Sequence, residues 1–144
     1  MFNDLLQAVI PAAYPTLKEN YNLNFTQIGL ITLSYQLAAS ILQPLVGLYT
    51  DKNPKPFSQM YGMLFTLAGI IILAYASSFT FVIVAVVLVG IGSSIFHPES
   101  SRISFLASGG KRGLAQSIFQ LGGNAGTAIG PLLVAFIVVP RSQH

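Results

Sequence analysis

The chain of 144 residues has no cysteine and very little charge, with four acidic side chains and seven Lys or Arg. Without cysteine there are no disulfides and no thiolate metal sites, and the redox compartment is left open. Charged residues make up 8% of the chain, against about 25% in a typical soluble domain. That scarcity, with 53% hydrophobic residues and a mean hydropathy of +0.67, excludes a soluble fold, because a domain this small cannot hide so much apolar surface. The expected class is all-α: polytopic transmembrane helices whose first partner is the lipid bilayer. A net charge of +3 is too small and too scattered for a nucleic-acid surface, so no nucleic-acid partner is expected. Nor do the residues compose a phosphate loop, a catalytic triad or a metal cluster, and no catalytic residue, metal or cofactor is expected.

What is present is a series of apolar runs separated by short charged clusters. The first run, residues 2–17, would span about 24 Å as a helix, roughly one turn short of a ~30 Å hydrocarbon core. It carries Asn3 and Asp4 near its start, Pro11 and Pro15 further on, and ends at Lys18-Glu19. No basic segment precedes it, so it is read as the latter part of a first membrane helix and not as a cleavable signal peptide. Counted from Lys18, Asp4 lies about 21 Å into the membrane. A second span, 26–49, has Thr26 as its expected N-cap and holds Gln36, Ser40 and Gln43-Pro44. Polar groups in such a helix face protein neighbours and not lipid. Residues 47–56 read as a turn in water, followed by an uncharged third span, 57–76, and a tight turn at Ser77-Ser78.

The fourth span, 79–107, runs through Phe96-His97-Pro98-Glu99-Ser100-Ser101-Arg102, whose charges follow a stretch of 43 residues (56–98) with no Asp, Glu, Lys or Arg. Counting from Ser77-Ser78 places these ionisable groups toward the far interface, where part of the cost of burying them is relieved. The fifth span, 113–139, follows Ser108-Gly109-Gly110-Lys111-Arg112. Within it Gly122, Gly126 and Gly130 recur at i, i+4 and i+8, with Pro131 directly after. This doubled small-residue stripe implies close helix packing, with ligand lining as the alternative. Pro44 and Pro131 are expected to bend their helices.

If the spans alternate, Lys52 and Lys55 share a side with Lys111 and Arg112, whereas the other side has Lys18 offset by Glu19, then Arg141. The positive-inside rule puts the first group in the cytoplasm. An offset of 84 residues then sets Gly29-Leu30 and Tyr35-Gln36-Leu37-Ala38-Ala39-Ser40 against Gly113-Leu114 and Phe119-Gln120-Leu121-Gly122-Gly123-Asn124. With three helices per unit the two copies run in opposite directions, the inverted arrangement of one large transporter class. Apolar sequence can match by coincidence; the shared glutamine favours a repeat, with Gln36 and Gln120 as candidates to line a central pathway or to make packing hydrogen bonds.

Two readings stand for each ionisable group in the spans. Asp4 is a proton-coupling candidate, since burial favours the protonated form of a carboxyl group, or else a helix–helix hydrogen-bonding residue. Glu99 and Arg102, at i and i+3, either pair with each other or, with His97, line a substrate path. His97 and Glu99 are separated by about 200° around the helix, so they do not share a cavity unless Pro98 distorts the turn.

The segment GLYTDKNPKP resembles the signature between the second and third helices of the major facilitator superfamily, Gly-x-x-x-Asp-(Arg/Lys)-x-Gly-(Arg/Lys)-(Arg/Lys), through Gly47, Asp51, Lys52 and Lys55. Pro54 and Pro56 depart from it. The resemblance implies that this loop helps govern the switch between inward and outward states. Gly126-x-x-x-Gly130-Pro131 resembles the fifth-helix motif of the superfamily's antiporters, whereas Val86 stands where many members carry a fourth-helix arginine, so that residue's role does not transfer. More narrowly, FNDLLQAVIPAAYP, GSSIFHPESSR and ASGGKRGLAQSIFQLGGN are similar to bacterial fosmidomycin resistance proteins, a drug-exporter branch.

That likeness implies residues 1–144 are a partial amino-terminal transmembrane domain of a twelve-helix exporter in the bacterial inner membrane. Its partners would be the missing remainder of the transporter, protons and a phosphonate antibiotic, and the fragment would be inactive alone. Alternatives are a facilitator moving another small solute, a non-transporting packing module, and a membrane-embedded enzyme using His97 and Glu99 as acid and base, the last disfavoured for want of further polar support.

Overall fold

In the computed structural model, which describes residues 1–53 and 57–138, every regular element is helical. Lys55 and the last six residues, with the expected end of the fifth span and Arg141, lie outside the described residues.

The first expected span is two helices, α1 (Phe2–Ala12) and α2 (Tyr14–Asn20), joined at Ala13. Pro11 removes one backbone donor near the end of α1, and Pro15 sits in the first turn of α2, where no intrahelical donor is needed. Asn22 takes a left-handed φ of 49° in the turn that follows, and the Leu23 N–H donates to the Lys18 carbonyl at 3.0 Å. Helix α3 (Phe25–Lys52) is capped by Asn24, not by Thr26. The Asn24 side chain accepts the Gln27 N–H at 2.8 Å and the Gln27 side chain accepts the Asn24 N–H at 2.9 Å. This reciprocal pair satisfies two orphan donors where a lone threonine would satisfy one. At its other end α3 stays helical through Lys52, so Gly47 and Asp51 belong to a helix and not to a turn.

Helices α4 (Ser58–Ala74), α5 (Phe79–Leu106) and α6 (Arg112–Leu133) follow, and a π-helical turn over Val134–Val138 begins just after Pro131. Gly109 and Gly110, at φ 55° and 90°, make the α5–α6 turn, a backbone that L side chains rarely adopt. Among the described residues three helices are long and apolar enough to cross a membrane, Phe25–Lys52, Phe79–Leu106 and Arg112–Ile137, and α4 is a shorter apolar helix.

Helix α5 is the axis of the packing, with α3 and α4 against it and Val82, Ala85, Val86 and Val89 wholly buried. In lipid the apolar surface supplies little drive for association, so close backbone approach has to supply it. Gly92 provides that at α4: a Cβ there would come within 2.6 Å of the Gly62 carbonyl. Gly90 does the same at α3, where a Cβ would lie 2.7 Å from the Tyr35 carbonyl. Helix α1 pairs instead with α6, in parallel, since Gly126 meets Met1 and Leu5 while Gly130 meets Leu5 and Ala8. The outer faces carry exposed Leu37 and Ile41 on α3, Leu64 and Leu67 on α4, and Ile118 and Leu121 on α6, an apolar coat suited to lipid.

Candidate functional site

Helix α1 brings three polar residues into this apolar packing, Asn3, Asp4 and Gln7, which between them are met from α3, α4 and α5. Asn3 is buried and its Oδ1 accepts the Thr66 hydroxyl of α4 at 2.9 Å. Gln7 Oε1 accepts two hydroxyls, from Tyr35 of α3 at 2.7 Å and from Ser93 of α5 at 3.2 Å. Buried polar groups must find partners because water is not there to replace them, so these bonds hold α1 in one rotation against α3, α4 and α5.

That rotation aims Asp4 between α5 and α6. Asp4 Oδ1 lies 3.7 Å from His97 Nε2, and Oδ2 lies 2.9 Å from the Met1 ammonium. On α6, a Cβ added to Gly123 would sit 3.5 Å from the same carboxylate. His97 is nine residues before Leu106 and Gly123 eleven after Arg112, which puts the pair about 14–16 Å along α5 and α6 from the ends that carry Leu106 and Arg112. Asp4 and His97, which the sequence offers only as separate groups, thus lie side by side between α1 and α5. Its aromatic neighbour, Phe96, meets the imidazole edge to face at 5.9 Å between ring centroids.

Beside Asp4 opens a cavity of about 330 Å³, lined among others by Gln7, Tyr14, Tyr35, Gln36 and Thr127. The Tyr14 and Thr32 hydroxyls, 2.8 Å apart, bridge α2 to α3 at its rim. The lining offers hydroxyl, amide and phenol groups and one carboxylate, with Ala8, Ile10 and Pro11 supplying the apolar part. A mainly apolar lining with a few convergent polar groups is the usual make-up of a small-molecule cavity.

Glu99 and Arg102 turn away from this cavity. Glu99 is 1% exposed, and Arg102 Nη2 donates to its Oε2 at 2.9 Å. The other carboxylate oxygen, Oε1, has no hydrogen-bond partner among the described residues. Arg102 instead lines a second cavity, toward the Lys52 end of α3, with Gly47, Asp51, Pro98 and Ser101. The 200° separation of His97 and Glu99 is thus kept, Pro98 notwithstanding.

Of the residues singled out from sequence, Asp4 and Gln36 share the first cavity, with His97 in contact through Asp4. Gln120 is exposed on α6 and is not among the residues lining it. Gly47 and Asp51 lie with Arg102, and Lys52 ends α3. Gly126 and Gly130 are buried against α1 with Pro131 beside them, but Gly122 has nothing within 4 Å and it is Gly123 that faces the Asp4 carboxylate of α1. Sequence reasoning passed over Asn3, Gln7, Tyr35, Ser93 and Thr66. The signal was there in part, since Asn3, Asp4 and Gln7 at i, i+1 and i+4 cover one side of an otherwise apolar helix.

The sequence pattern of the Major Facilitator Superfamily matches residues 1–141. The chain is 57% identical over 143 residues to the fosmidomycin resistance protein of Escherichia coli (strain K12), covering 99% of this chain and 35% of that protein. It is 50% identical over 143 residues to the uncharacterized MFS-type transporter YfnC of Bacillus subtilis (strain 168), again covering 99% of this chain and 35% of the relative. The chain therefore spans about a third of the length of these curated relatives. No solved structure matches it at a significant level.

Proposed function

We propose that this chain, which belongs to the Major Facilitator Superfamily, forms part of the amino-terminal transmembrane domain of a proton-coupled exporter of fosmidomycin-like drugs in the bacterial inner membrane. The observation that carries the mechanism is the Asp4–His97 approach of 3.7 Å beside a mainly apolar cavity into which a few polar groups converge. The drug class rests on the likeness to the E. coli fosmidomycin resistance protein.

A carboxylate and an imidazole in contact offer two resting places for one proton, and a site carrying one negative and one positive charge, or none, is far cheaper in lipid than an isolated charge. In this reading Asp4 releases its proton toward the cytoplasm as the substrate leaves outward. Gln7, Tyr35 and Ser93 are positioning residues that fix the rotation of α1. Gln36 contributes to the substrate path. Gly47, Asp51 and Lys52, joined by Lys55 outside the described residues, form the cytoplasmic switch between inward and outward states, and Arg102 lies with them instead of in the substrate path. Transport by two bundles rocking about a midplane site needs a second bundle, so the 144-residue chain is expected to be inactive alone.

Two measurements test this. Everted membrane vesicles from cells making a polypeptide of the relatives' full length that contains this chain should accumulate fosmidomycin only when a proton gradient is imposed; accumulation indifferent to the gradient would refute proton coupling. Expressing the 144-residue chain alone in a drug-sensitive bacterium should leave sensitivity unchanged, and resistance from it would refute the need for a second bundle.

A further inference from the structure

Helix α1 has two faces, and they are held in different ways. One, formed by Met1, Leu5 and Ala8 at i, i+4 and i+7, lies against α6: a Cβ on Gly126 would run into the Met1 carbonyl, and one on Gly130 would lie 2.6 Å from the Ala8 Cβ. The other, formed by Asn3, Gln7 and Ile10 with Asp4 beside them, lies against α3, α4 and α5. Beyond Ile10, which sits in the apolar core near the end of α1, this second face is held by polar groups: the Thr66 hydroxyl on Asn3, the Tyr35 and Ser93 hydroxyls on Gln7, and His97 on Asp4. A glycine contact brings backbone against backbone and depends on neither charge nor hydration. Hydrogen bonds to hydroxyls can be exchanged for water at small net cost.

Helix α6 has little besides α1 to hold it. Its buried residues, Gly126 and Gly130, both lie on α1, and its polar links to α5 among the described residues are Arg112 over the Phe105 ring and the Ser101 hydroxyl on Gln116, at exposed positions near the α5–α6 turn. The chain also supplies a pivot. Pro11 and Pro15 have no N–H, so the carbonyls of Gln7 and Pro11 lose their α-helical donors in consecutive turns, and the helix breaks at Ala13. Past the break the chain is fixed to the bundle: Leu17 and Leu23 are in the core with Ile31, Val82 and Val86, the Tyr14 and Thr32 hydroxyls bond at 2.8 Å, and the Tyr21 hydroxyl donates to the Ala76 carbonyl.

We infer that α1 and α6 move as one body about Ala13 against a fixed block of α2 to α5, and that the polar face of α1, with the Asp4–His97 contact in it, is the seam that opens. The Asp4 carboxylate is faced by the Met1 ammonium on α1 and by His97 on α5, across the cavity by the Tyr14 and Tyr35 phenols, and on α6 by Gly123, which carries no charge. A change of charge on Asp4 therefore acts on the seam and leaves the glycine contact alone. The inference rests on the exporter reading for its purpose, which is to turn proton loading at Asp4 into motion of α6, and its test reads distances instead of transport.

Because the sequence has no cysteine, spin labels can be placed at chosen sites in a polypeptide of the relatives' full length that contains this chain, any cysteine outside the chain being replaced by serine. One pair, Phe2→Cys with Leu132→Cys, spans α1 and α6; the other, Leu64→Cys with Leu132→Cys, spans α4 and α6, and all three positions are exposed. Distances from pulsed electron resonance in lipid nanodiscs are compared with Asp4 intact and with Asp4→Asn. The α4–α6 distance should change by about 2 Å or more, the scale of helix shifts in packed proteins, while the α1–α6 distance holds. Equal changes in both pairs would overturn the inference, since α6 would then not ride on α1, and so would no change in either, since the seam would not open. Tyr35→Phe, which loosens Gln7 and leaves Asp4 in place, should move the α4–α6 distance in the same direction, and an unmoved distance there likewise counts against the seam. Pro15→Ala restores an N–H at the break and should roughly halve the α4–α6 change; an undiminished change would overturn the pivot. Efflux indifferent to a proton gradient alongside the expected distances would count against the exporter reading and leave the moving pair standing.

Discussion

Replacing Arg102 by alanine isolates the energetics of the Glu99–Arg102 ion pair on α5. The partner, Glu99, is 1% exposed, and the pair is closed by a 2.9 Å hydrogen bond. At that separation an effective dielectric of about 20 gives an attraction of roughly 6 kcal/mol, before desolvation is subtracted. Removing one partner strands the other, and for a buried pair that costs about 3–5 kcal/mol. Glu99 already has one oxygen without a partner, so little in its surroundings can take over. R102A is therefore expected to lower stability by that amount, read from denaturant unfolding in detergent micelles with helical circular dichroism as the signal. The double variant E99Q/R102A removes both charges and should recover most of the loss, and with the single variants E99Q and R102A it closes a double-mutant cycle whose coupling energy should be about 2–3 kcal/mol. A coupling below about 0.5 kcal/mol would place the pair in the class of exposed ion pairs and refute the reasoning. Drug resistance by the double variant in a full-length polypeptide gives a further check: a stable protein that has lost efflux would return Arg102 to the substrate path.

Two glycines of α5 and α6 should respond oppositely to the same change. G92A drives a Cβ to 2.6 Å from the Gly62 carbonyl and should cost about 1–3 kcal/mol as α4 and α5 separate, whereas G122A meets nothing within 4 Å and should be neutral or gain up to about 1 kcal/mol from helix propensity; equal unfolding midpoints would contradict the packing. D4N in a full-length polypeptide should abolish gradient-driven efflux while membrane insertion, read by protease protection, is unchanged, and retained efflux would remove Asp4 from the mechanism. Y35F deletes the hydroxyl that donates to Gln7 and should destabilise by about 1 kcal/mol, with no change if that bond is not formed. G110A places a side chain at φ 90° and should cost about 1–3 kcal/mol through backbone strain, measured by the same unfolding assay.

Composition and hydropathy sufficed for the membrane class, because charge is too expensive in lipid to be scattered through a span and its clusters consequently mark the loops. Helix ends were legible where a residue has one backbone consequence, as at Gly109 and Gly110, and less so where two polar residues compete. Asn24 displaced Thr26 as cap because Gln27 three residues on completes its hydrogen bonds. The packing role of Gly126 and Gly130 could be read from their spacing, but Gly122 was included by the same rule and faces open space.

What sequence could not supply was the identity of each neighbour. Helical periodicity says which residues share a face, and it says nothing of which other helix that face will meet. Asp4 and His97 are separated by most of the chain, and only the stacking of α1 between α5 and α6, set by Gly126 and Gly130 on one side and by the Gln7 and Asn3 hydrogen bonds on the other, brings them to 3.7 Å. The local i, i+3 pairing of Glu99 with Arg102 was open to sequence since one helix contains both partners. The sequence by itself thus determined the all-helical membrane class and which polar residues share a helix face; tertiary packing alone decided which of them touch, because contacts between helices depend on rotations and crossings that no single helix encodes.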